Sequence, residues 1–216
     1  MIDSYKHKGL RKQLVESIKK KGITDENILD AIEKIPRHFF LDSTFQNLAY
    51  EDKPFPIGAG QTISQPYTVA FQTQLLKVKR RDKILEVGTG SGYQACVLLE
   101  LGAVVYTIER QKSLYQKTKV FLPSIGYQPK FFFGDGYKGL PAYAPFDKII
   151  VTAGAPFIPE LLIEQLKNGG IMVIPVGSGD VQKMVTATKS ETGKVIIEEH
   201  GTFRFVPLLQ DKANDN

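Results

Sequence analysis

A glycine-rich segment near the middle of the chain has the pattern of a ligand-binding turn. It reads Glu86-Val87-Gly88-Thr89-Gly90-Ser91-Gly92 and follows a short apolar run. Glycines let the backbone turn tightly and let a ligand approach it closely. Tyr93 stands where a dinucleotide fingerprint would continue to its third glycine, and the Gly-Lys-Ser/Thr of a P-loop is absent. The segment therefore departs from both nucleotide-binding patterns and still predicts a ligand-binding turn, the alternative being a tight turn that binds nothing.

Two further strand ends carry acids. Glu109 ends the second predicted strand, where a carboxylate can accept hydrogen bonds from both ribose hydroxyls, although an ion pair with Arg110 is an alternative. The third strand ends at Gly134-Asp135-Gly136, which alone would be interpreted as an Asp-Gly turn. Gly, Glu and Asp at three successive strand ends indicate a nucleoside site more strongly than any one of them.

These residues are positioned by strands that alternate with helices. Apolar runs predict strands at 84–87, 104–108, 130–133, 148–151 and 171–174, with helices at 93–101, 111–122 and 159–166. The alternation predicts an α/β fold with a doubly wound, mostly parallel sheet. Later strands are expected at 181–189, 195–199 and 202–206, the first two joined at Thr192-Gly193.

The first third of the chain is predicted to be helical and then irregular. One helix should end near Gly22, and a second, capped by Thr24, should end at Pro36. Residues 37–63 show no sustained periodicity, and a long irregular stretch in a compact domain is more often functional than idle. The polar tail from Asp211 is predicted to be disordered.

Composition sets few limits on function. The 216-residue chain has a net charge of +5, carried in short runs that fit a solvated surface better than a nucleic-acid interface. Its one cysteine, Cys96, excludes an intrachain disulfide and fits a reducing compartment. No apolar run approaches the roughly 20 residues of a membrane span. We therefore expect a cytoplasmic protein that binds neither nucleic acid nor membrane. His7, His38 and His200 lack metal-ligand spacing, so no metal is expected.

Several motifs resemble one family. The form of residues 86–92 resembles motif I of the class I methyltransferases. Far more specifically, Gly60-Gln61-Thr62-Ile63-Ser64-Gln65-Pro66-Tyr67 resembles the catalytic stretch of the protein-L-isoaspartate (D-aspartate) O-methyltransferases. Further similar segments lie at 35–39, 49–52, 134–136, 144–147, 152–156, 165–170 and 205–208. Phe55 and Asn168 depart from the pattern, where Leu and Pro are expected.

The resemblance implies a class I, Rossmann-like methyltransferase fold with an N-terminal helical elaboration. It implies methyl transfer from S-adenosyl-L-methionine to the α-carboxylate of isoaspartyl residues in damaged peptides and proteins, with S-adenosyl-L-homocysteine as product. One domain is expected: residues 1–80 form the substrate cleft, 81–180 the cofactor-binding core and 181–209 the C-terminal strands. A monomer is expected, because a flexible damaged segment must enter the cleft.

The resemblance also implies site residues. The family's catalytic serine corresponds to Ser64. Cofactor contacts are expected at Gln61, Thr62, Ile63, Glu86, Gly88, Thr89, Gly90, Gly92, Glu109, Arg110, Gly134, Asp135 and Gly136. Acceptor contacts are expected at Thr62, Ser64, Phe205 and Val206, within the segment Arg204-Phe205-Val206-Pro207.

The implied chemistry needs no general base, because a carboxylate with a pKa near 4 is already ionised at neutral pH. Ser64 would donate a hydrogen bond that orients this carboxylate. Ser64 is also expected to cap the helix that includes residues 67–76, with Pro66 in its first turn.

Three other functions remain open from the residues. An RNA or small-molecule methyltransferase would share residues 86–92 and Glu109 but would leave 60–67 unexplained. A nicotinamide-dependent oxidoreductase is disfavoured by Tyr93. A non-catalytic module would bind the cofactor without turnover.

Overall fold

The computed structural model describes residues 2–213. Within that range the strands are β1 (Phe55–Gly58), β2 (Gln61–Ile63), β3 (Lys83–Val87), β4 (Val104–Glu109), β5 (Lys130–Phe133), β6 (Phe146–Val151), β7 (Leu166–Val176), β8 (Gln182–Lys189) and β9 (Val195–Phe203). The α-helices are α1 (Tyr5–Lys20), α2 (Glu26–Lys34), α3 (Pro66–Leu76), α4 (Tyr93–Glu100), α5 (Lys112–Ser124) and α6 (Glu160–Gln165).

Seven strands form one sheet in the order β5-β4-β3-β6-β7-β8-β9. The pairs from β5 to β7 are parallel, and β8 and β9 are added as antiparallel strands. The predicted α/β fold with a mostly parallel sheet is confirmed. The strand order changes direction between β3 and β6, and open α/β sheets bind ligands at the carboxyl ends of the strands beside such a point. The glycine-rich turn that follows β3 lies there.

The central strand β3 is buried on both faces, as parallel sheets covered by helices require. Ile84 packs into a core shared with α1 to α4, whereas Leu85 and Val87 pack into a second core on the opposite face. Because side chains alternate along a strand, Glu86 points to the same face as Ile84. An acid is therefore placed inside the core beneath α4.

The start of α2 differs from the prediction at one residue. Asp25, not Thr24, caps α2, because its side chain accepts a hydrogen bond from the Asn27 amide at 3.0 Å. The Thr24 amide instead donates to Gln74 Oε1 on α3 at 2.8 Å. The helix ends at Lys34, close to Pro36 as expected. No helix in the range 2–213 is long and apolar enough to cross a membrane.

The predicted strand at 202–206 is not a separate element. β9 continues from Val195 to Phe203 alongside β8, and the pairing passes an irregularity between Lys183 and Val185. A register shift of this kind lets one strand continue where the sequence pattern changes phase. The residues after Phe203 leave the sheet and run toward the end of β6.

The prediction of disorder from Asp211 onward is wrong for the residues that the structure describes. Ala213 forms a bridge to Gln111, with its amide donating to the Arg110 carbonyl at 2.9 Å and its carbonyl accepting from the Lys112 amide at 3.1 Å. This segment is therefore tied to the turn between β4 and α5. Residues 214–216, on which the same prediction falls, lie outside the described residues.

The start of α3 is held by a distant aspartate rather than by Ser64. The N-cap position is Gln65, whose side chain makes no capping hydrogen bond, so the predicted Ser64 cap is wrong. Asp52 Oδ1 accepts from the Tyr67 amide at 2.8 Å, and Asp52 Oδ2 accepts from Gln65 Nε2 at 3.1 Å and Lys21 Nζ at 2.6 Å. The segment that contains Ser64 is thereby anchored to the end of α1.

We expect Asp52→Ala to lower the free energy of unfolding by about 1–2 kcal/mol, the usual cost of losing a capping side chain. Urea unfolding measures this loss. The control is Asp42→Ala, because Asp42 is exposed and its cationic neighbour Lys117 is 3.9 Å away. That change should stay within about 0.5 kcal/mol. Equal losses in the two variants would contradict the capping role of Asp52.

Candidate active site

A cleft opens at the carboxyl ends of β3, β4 and β6. It encloses roughly 760 Å³ of empty space, part of it open to solvent. Its wall consists of Gln61, Thr62, Ile63, Ser64, Val69, Val87, Gly88, Thr89, Gly90, Ser91, Tyr93, Gln94, Ile108, Glu109, Arg110, Gly136, Thr152, Ala153, Val206, Pro207, Leu208 and Leu209. The structure thus brings the glycine-rich turn, the end of β4 and the segment 61–64 together around one space.

The turn after β3 depends on glycine at two positions. Gly88 and Gly92 have φ values of 97° and 84°, a region that other residues rarely occupy. A Cβ atom on Gly88 would lie 2.5 Å from Thr152 Oγ1, and one on Gly92 would lie 2.6 Å from Leu122 Cδ1. The backbone therefore lines the cleft directly at Gly88, while Gly92 packs behind the turn and does not reach the wall.

Glu109 is bound to the backbone and not to Arg110. Its Oε2 accepts from the Gly90 amide at 2.8 Å, and its Oε1 accepts from the Gln111 amide at 2.8 Å. Arg110 donates instead to the carbonyls of Asp211 and Gln210, at 2.9 and 3.2 Å. Burial raises the pKa of the Glu109 carboxyl. The carboxylate lines the cleft and has lone pairs left to accept ribose hydroxyls.

Glu86 does not reach the cleft. Its side chain is fully buried, and neither carboxyl oxygen has a hydrogen-bond partner among the described residues. Burial raises the pKa of Glu86 to about 8. Glu86 was expected to contact a cofactor, but it lies outside the cleft wall. Side chains alternate between the two faces of β3, and this alternation directs Glu86 into the core. With its pKa raised in this way, the Glu86 carboxyl is mostly protonated at neutral pH.

The Glu86 carboxyl should make stability depend on pH. Its pKa is near 4.5 when exposed and about 8 in the folded chain, so its contribution is complete below the lower value and is lost as pH rises to the upper one. Glu86→Gln lacks this titration. Its stability relative to the unsubstituted chain should therefore rise from about pH 5 to about pH 8, by at most about 1.4 kcal/mol per pH unit.

Urea unfolding at several pH values tests this expectation. Glu160→Gln is the control, because Glu160 is exposed at the start of α6. Parallel pH dependences of Glu86→Gln and the unsubstituted chain would show that Glu86 does not titrate as its burial requires.

The end of β5 contributes less than expected. Gly136 lines the cleft, but Gly134 and Asp135 lie outside its wall. Asp135 is buried, and its Oδ1 accepts from the Tyr137 amide at 2.9 Å, the contact of an Asp-Gly turn. The expected cofactor contact of Asp135 stays a prediction.

A second cavity continues from the cleft toward the surface. Its wall consists of Lys21, Pro54, Thr62, Ser64, Gln65, Tyr67, Thr68, Thr152, Val181, Thr202, Phe203, Arg204, Phe205 and Val206. Thr62, Ser64, Thr152 and Val206 belong to both walls. Ser64 therefore lies where the two spaces meet, and its hydroxyl makes no hydrogen bond within the described residues. Phe205 lines only the outer cavity, which we call the acceptor groove.

Some lining residues were not singled out from the sequence. Thr152 follows β6, so the strand-end rule that selected Glu109 would also have found it. Gln94 and Tyr93 lie on the first turn of α4, just beyond the glycine motif. Lys21 enters the acceptor groove from the end of α1, and no local pattern in the sequence indicates this.

Within the N-terminal region, the structure brings two of the three histidines together. The rings of His7 and His38 lie 3.8 Å apart between centroids, and ligand atoms of Asp3, His7 and His38 lie within 4.8 Å of one another. These groups have partners of their own. Arg11 donates to both Asp3 oxygens at 3.1 and 2.9 Å, and His38 Nδ1 lies 2.6 Å from the Tyr50 hydroxyl. The Arg11 cation disfavours a metal ion there.

A protein-family model decides what the chain is related to. The model described as protein-L-isoaspartate(D-aspartate) O-methyltransferase matches residues 9–213. The chain belongs to this family. The protein-L-isoaspartate O-methyltransferase of Christiangramia forsetii is 62% identical over 98% of this chain and 100% of the relative. That of Flavobacterium johnsoniae is also 62% identical, with the same coverage.

Solved structures agree with this family. One protein-L-isoaspartate O-methyltransferase superposes with a TM-score of 0.82 at 29% identity, covering 91% of this chain and 65% of its own. A protein-L-isoaspartate O-methyltransferase from Plasmodium falciparum, in complex with S-adenosyl-L-homocysteine, gives 0.79 at 26% identity and covers 93% of this chain and 99% of its own. The predicted family and the class I methyltransferase fold are confirmed.

Proposed function

We propose that the chain methylates the free α-carboxylate of isoaspartyl residues with S-adenosyl-L-methionine as donor, and that Ser64 orients that carboxylate. As a member of the protein-L-isoaspartate O-methyltransferase family, the chain is a methyltransferase that uses this cofactor. The observation that carries the role of Ser64 is its position in the walls of both the cleft and the acceptor groove. A methyl group that crosses from one space to the other passes among the four residues that line both, and Ser64 is one of them.

The cleft fits a nucleoside that has no phosphate. Arg110 is the single lysine or arginine in its wall, and its guanidinium already donates to two backbone carbonyls. The turn lacks the third glycine of the dinucleotide fingerprint, and a sulfonium ion needs no cationic partner. Gly88 and Gly90 present backbone to the cleft, and Glu109 offers acceptors for ribose hydroxyls. When bound, the cofactor supplies an electrophilic methyl group on a positively charged sulfur.

The acceptor groove suits a carboxylate on a peptide. Arg204 and Lys21 place positive charge in its wall, beside the aromatic rings of Tyr67, Phe203 and Phe205. Lys21 is paired with Asp52 at 2.6 Å, which leaves Arg204 as the cation available to a substrate. These features suit an anionic group on an acceptor that also offers apolar surface, and the family of the chain supports a peptide acceptor.

Catalysis then rests on positioning. The acceptor carboxylate is ionised at neutral pH, so no proton has to be removed before it attacks the methyl carbon. We propose that the Ser64 hydroxyl donates to one carboxylate oxygen and leaves the other in line with the methyl group. Placement of this kind is worth several kcal/mol, within the roughly 7–11 kcal/mol available to well-oriented reactants.

The product explains why methylation serves repair. The methyl ester is a better electrophile than the carboxylate, so the nitrogen of the following backbone amide attacks the ester carbonyl, closes a succinimide and releases methanol without enzymatic help. Hydrolysis of the succinimide returns part of the material to normal aspartate. In this proposal residues 1–80 form much of the substrate cleft, and Lys21, Pro54 and Tyr67 in the acceptor groove support it. We also propose a cytoplasmic monomer.

We expect Ser64→Ala to reduce methyl transfer roughly 100-fold or more, as when a single hydrogen-bond donor is removed from a reacting oxyanion. Because Ser64 is not a helix cap, the free energy of unfolding should change by less than about 0.5 kcal/mol. Affinity for S-adenosyl-L-homocysteine should be retained. The assay counts base-labile methyl esters formed from methyl-labelled S-adenosyl-L-methionine.

Two synthetic peptides that differ only in aspartate or isoaspartate at one position serve as acceptors. Label should appear on the isoaspartyl peptide alone. Ser43→Ala is the control, because Ser43 is exposed and lines neither cavity. Normal turnover by Ser64→Ala would overturn the role of Ser64, and label on neither peptide would overturn the acceptor.

A further inference from the structure

The acceptor groove continues onto the exposed side of α1. Lys21, which caps the end of this helix, lines the groove and also a separate surface cavity, which we call the α1 cavity. The α1 cavity encloses roughly 1080 Å³ of space, part of it open to solvent, and Lys12, Glu16 and Lys20 stand in its wall. All four side chains are exposed. A polypeptide that leaves the groove beside Lys21 can therefore lie against α1.

The end of α1 lies within a few residues' length of Ser64. Lys21 Nζ donates to Asp52 Oδ2 at 2.6 Å, and Asp52 Oδ1 accepts from the Tyr67 amide at 2.8 Å. Tyr67 follows Ser64 by three residues, a span of at most about 11 Å, which an extended peptide also covers in about three residues. The other two lysines of the α1 cavity are eight residues apart, about 12 Å along the helix. Acceptor residues about three to seven places from the isoaspartate can therefore reach α1.

The groove and the α1 cavity carry mainly positive charge. The groove wall contains Lys21 and Arg204 and no aspartate or glutamate, and the α1 cavity adds Lys12 and Lys20 against the single acid Glu16. Within the range 2–213, Lys21 alone of these four cations has an acidic group within 4.0 Å. Three cations are thus free to attract negative charge on a bound molecule.

We propose that the exposed side of α1 extends the acceptor groove and binds acidic residues that flank the isoaspartate in the acceptor chain. The enzyme then prefers damaged segments with aspartate or glutamate about three to seven places from the isoaspartate and disfavours lysine or arginine there. This inference rests on the proposed function, because it takes the groove as the acceptor site. The shared wall residue Lys21 favours a polypeptide over a nucleic acid or a lipid surface, since the molecule bound at α1 also enters the groove.

The test measures methyl transfer to isoaspartyl peptides that carry glutamate, glutamine or lysine at these flanking places, in one series before the isoaspartate and in a second series after it. In at least one series the KM of the glutamate peptide should be about 3- to 10-fold below that of the glutamine peptide, with the lysine peptide highest. The kcat should be equal, because the flanking residues do not touch the reacting atoms. The differences in KM should shrink in 1 M salt, where charges are screened beyond about 3 Å.

Substitutions of opposite sign on α1 should move this preference in opposite directions. Lys12→Gln together with Lys20→Gln should raise the KM of the glutamate peptide about 2- to 5-fold. Glu16→Lys should lower it roughly 2- to 3-fold, a gain that misfolding cannot produce. The control, Lys112→Gln together with Lys119→Gln, removes the same charge from exposed residues of α5 that line neither wall. It should leave the ratio of the glutamate and glutamine KM values unchanged.

Equal KM values for the three peptides in both series would overturn the inference, and so would equal changes in the α1 and α5 variants, which would trace the preference to net charge alone. Inhibition of glutamine-peptide methylation by single-stranded RNA or phosphatidylserine vesicles, without any preference among the peptides, would assign α1 to another partner. Label on the glutamine peptide with no effect of flanking charge would leave the proposed function standing and this inference wrong. Label on no peptide would overturn both.

Discussion

The turn between β3 and α4 is the constraint on which the site depends. Its backbone is clamped from three directions. Glu109 accepts from the Gly90 amide at 2.8 Å, Thr118 donates to the Gly90 carbonyl at 2.7 Å, and Thr152 donates to the Gly88 carbonyl at 2.7 Å. The clamps come from β4, α5 and the end of β6. A side chain at Gly88 would collide with Thr152, so the sheet and the turn fit only with glycine there.

A buried cation joins the irregular N-terminal region to this site. Arg37 is fully buried, and it donates to the carbonyls of Ala49 at 3.0 Å and Lys53 at 3.1 Å. Its guanidinium lies 5.2 Å from the ring of Tyr93, which lines the cleft. Burial lowers the pKa of Arg37 to about 10, which leaves it charged at neutral pH. The segment before β1 is thus organised around one charge that packs against the first residue of α4.

The central strands could be predicted because a short apolar run in the local sequence indicates each one. These runs predicted β3 to β7 to within a few residues, except that β7 begins earlier than expected. Two errors fell at the starts of helices, one decided by a neighbouring side chain and the other by a distant one. Thr24 and Ser64 have the right chemistry for caps, but Asp25 and Asp52 reach the free amides first. For Glu86 the motif identified the residue, while the alternation of β3 decided that it faces the core. Lys21 and Gln94 joined the site through tertiary packing, which no spacing along the chain encodes.

The pairing of residues 206–208 with Gly154 also bears on how the protein matures. Leu208 and Leu209 line the cleft, and the chain there is held by hydrogen bonds from the Gly154 amide to Val206 at 2.8 Å and from the Leu208 amide to Gly154 at 2.7 Å. The glycine turn and Ser64 are translated long before these residues. The complete cleft can therefore form only after residues 208 and 209 have been added to the chain, late in the synthesis of the domain.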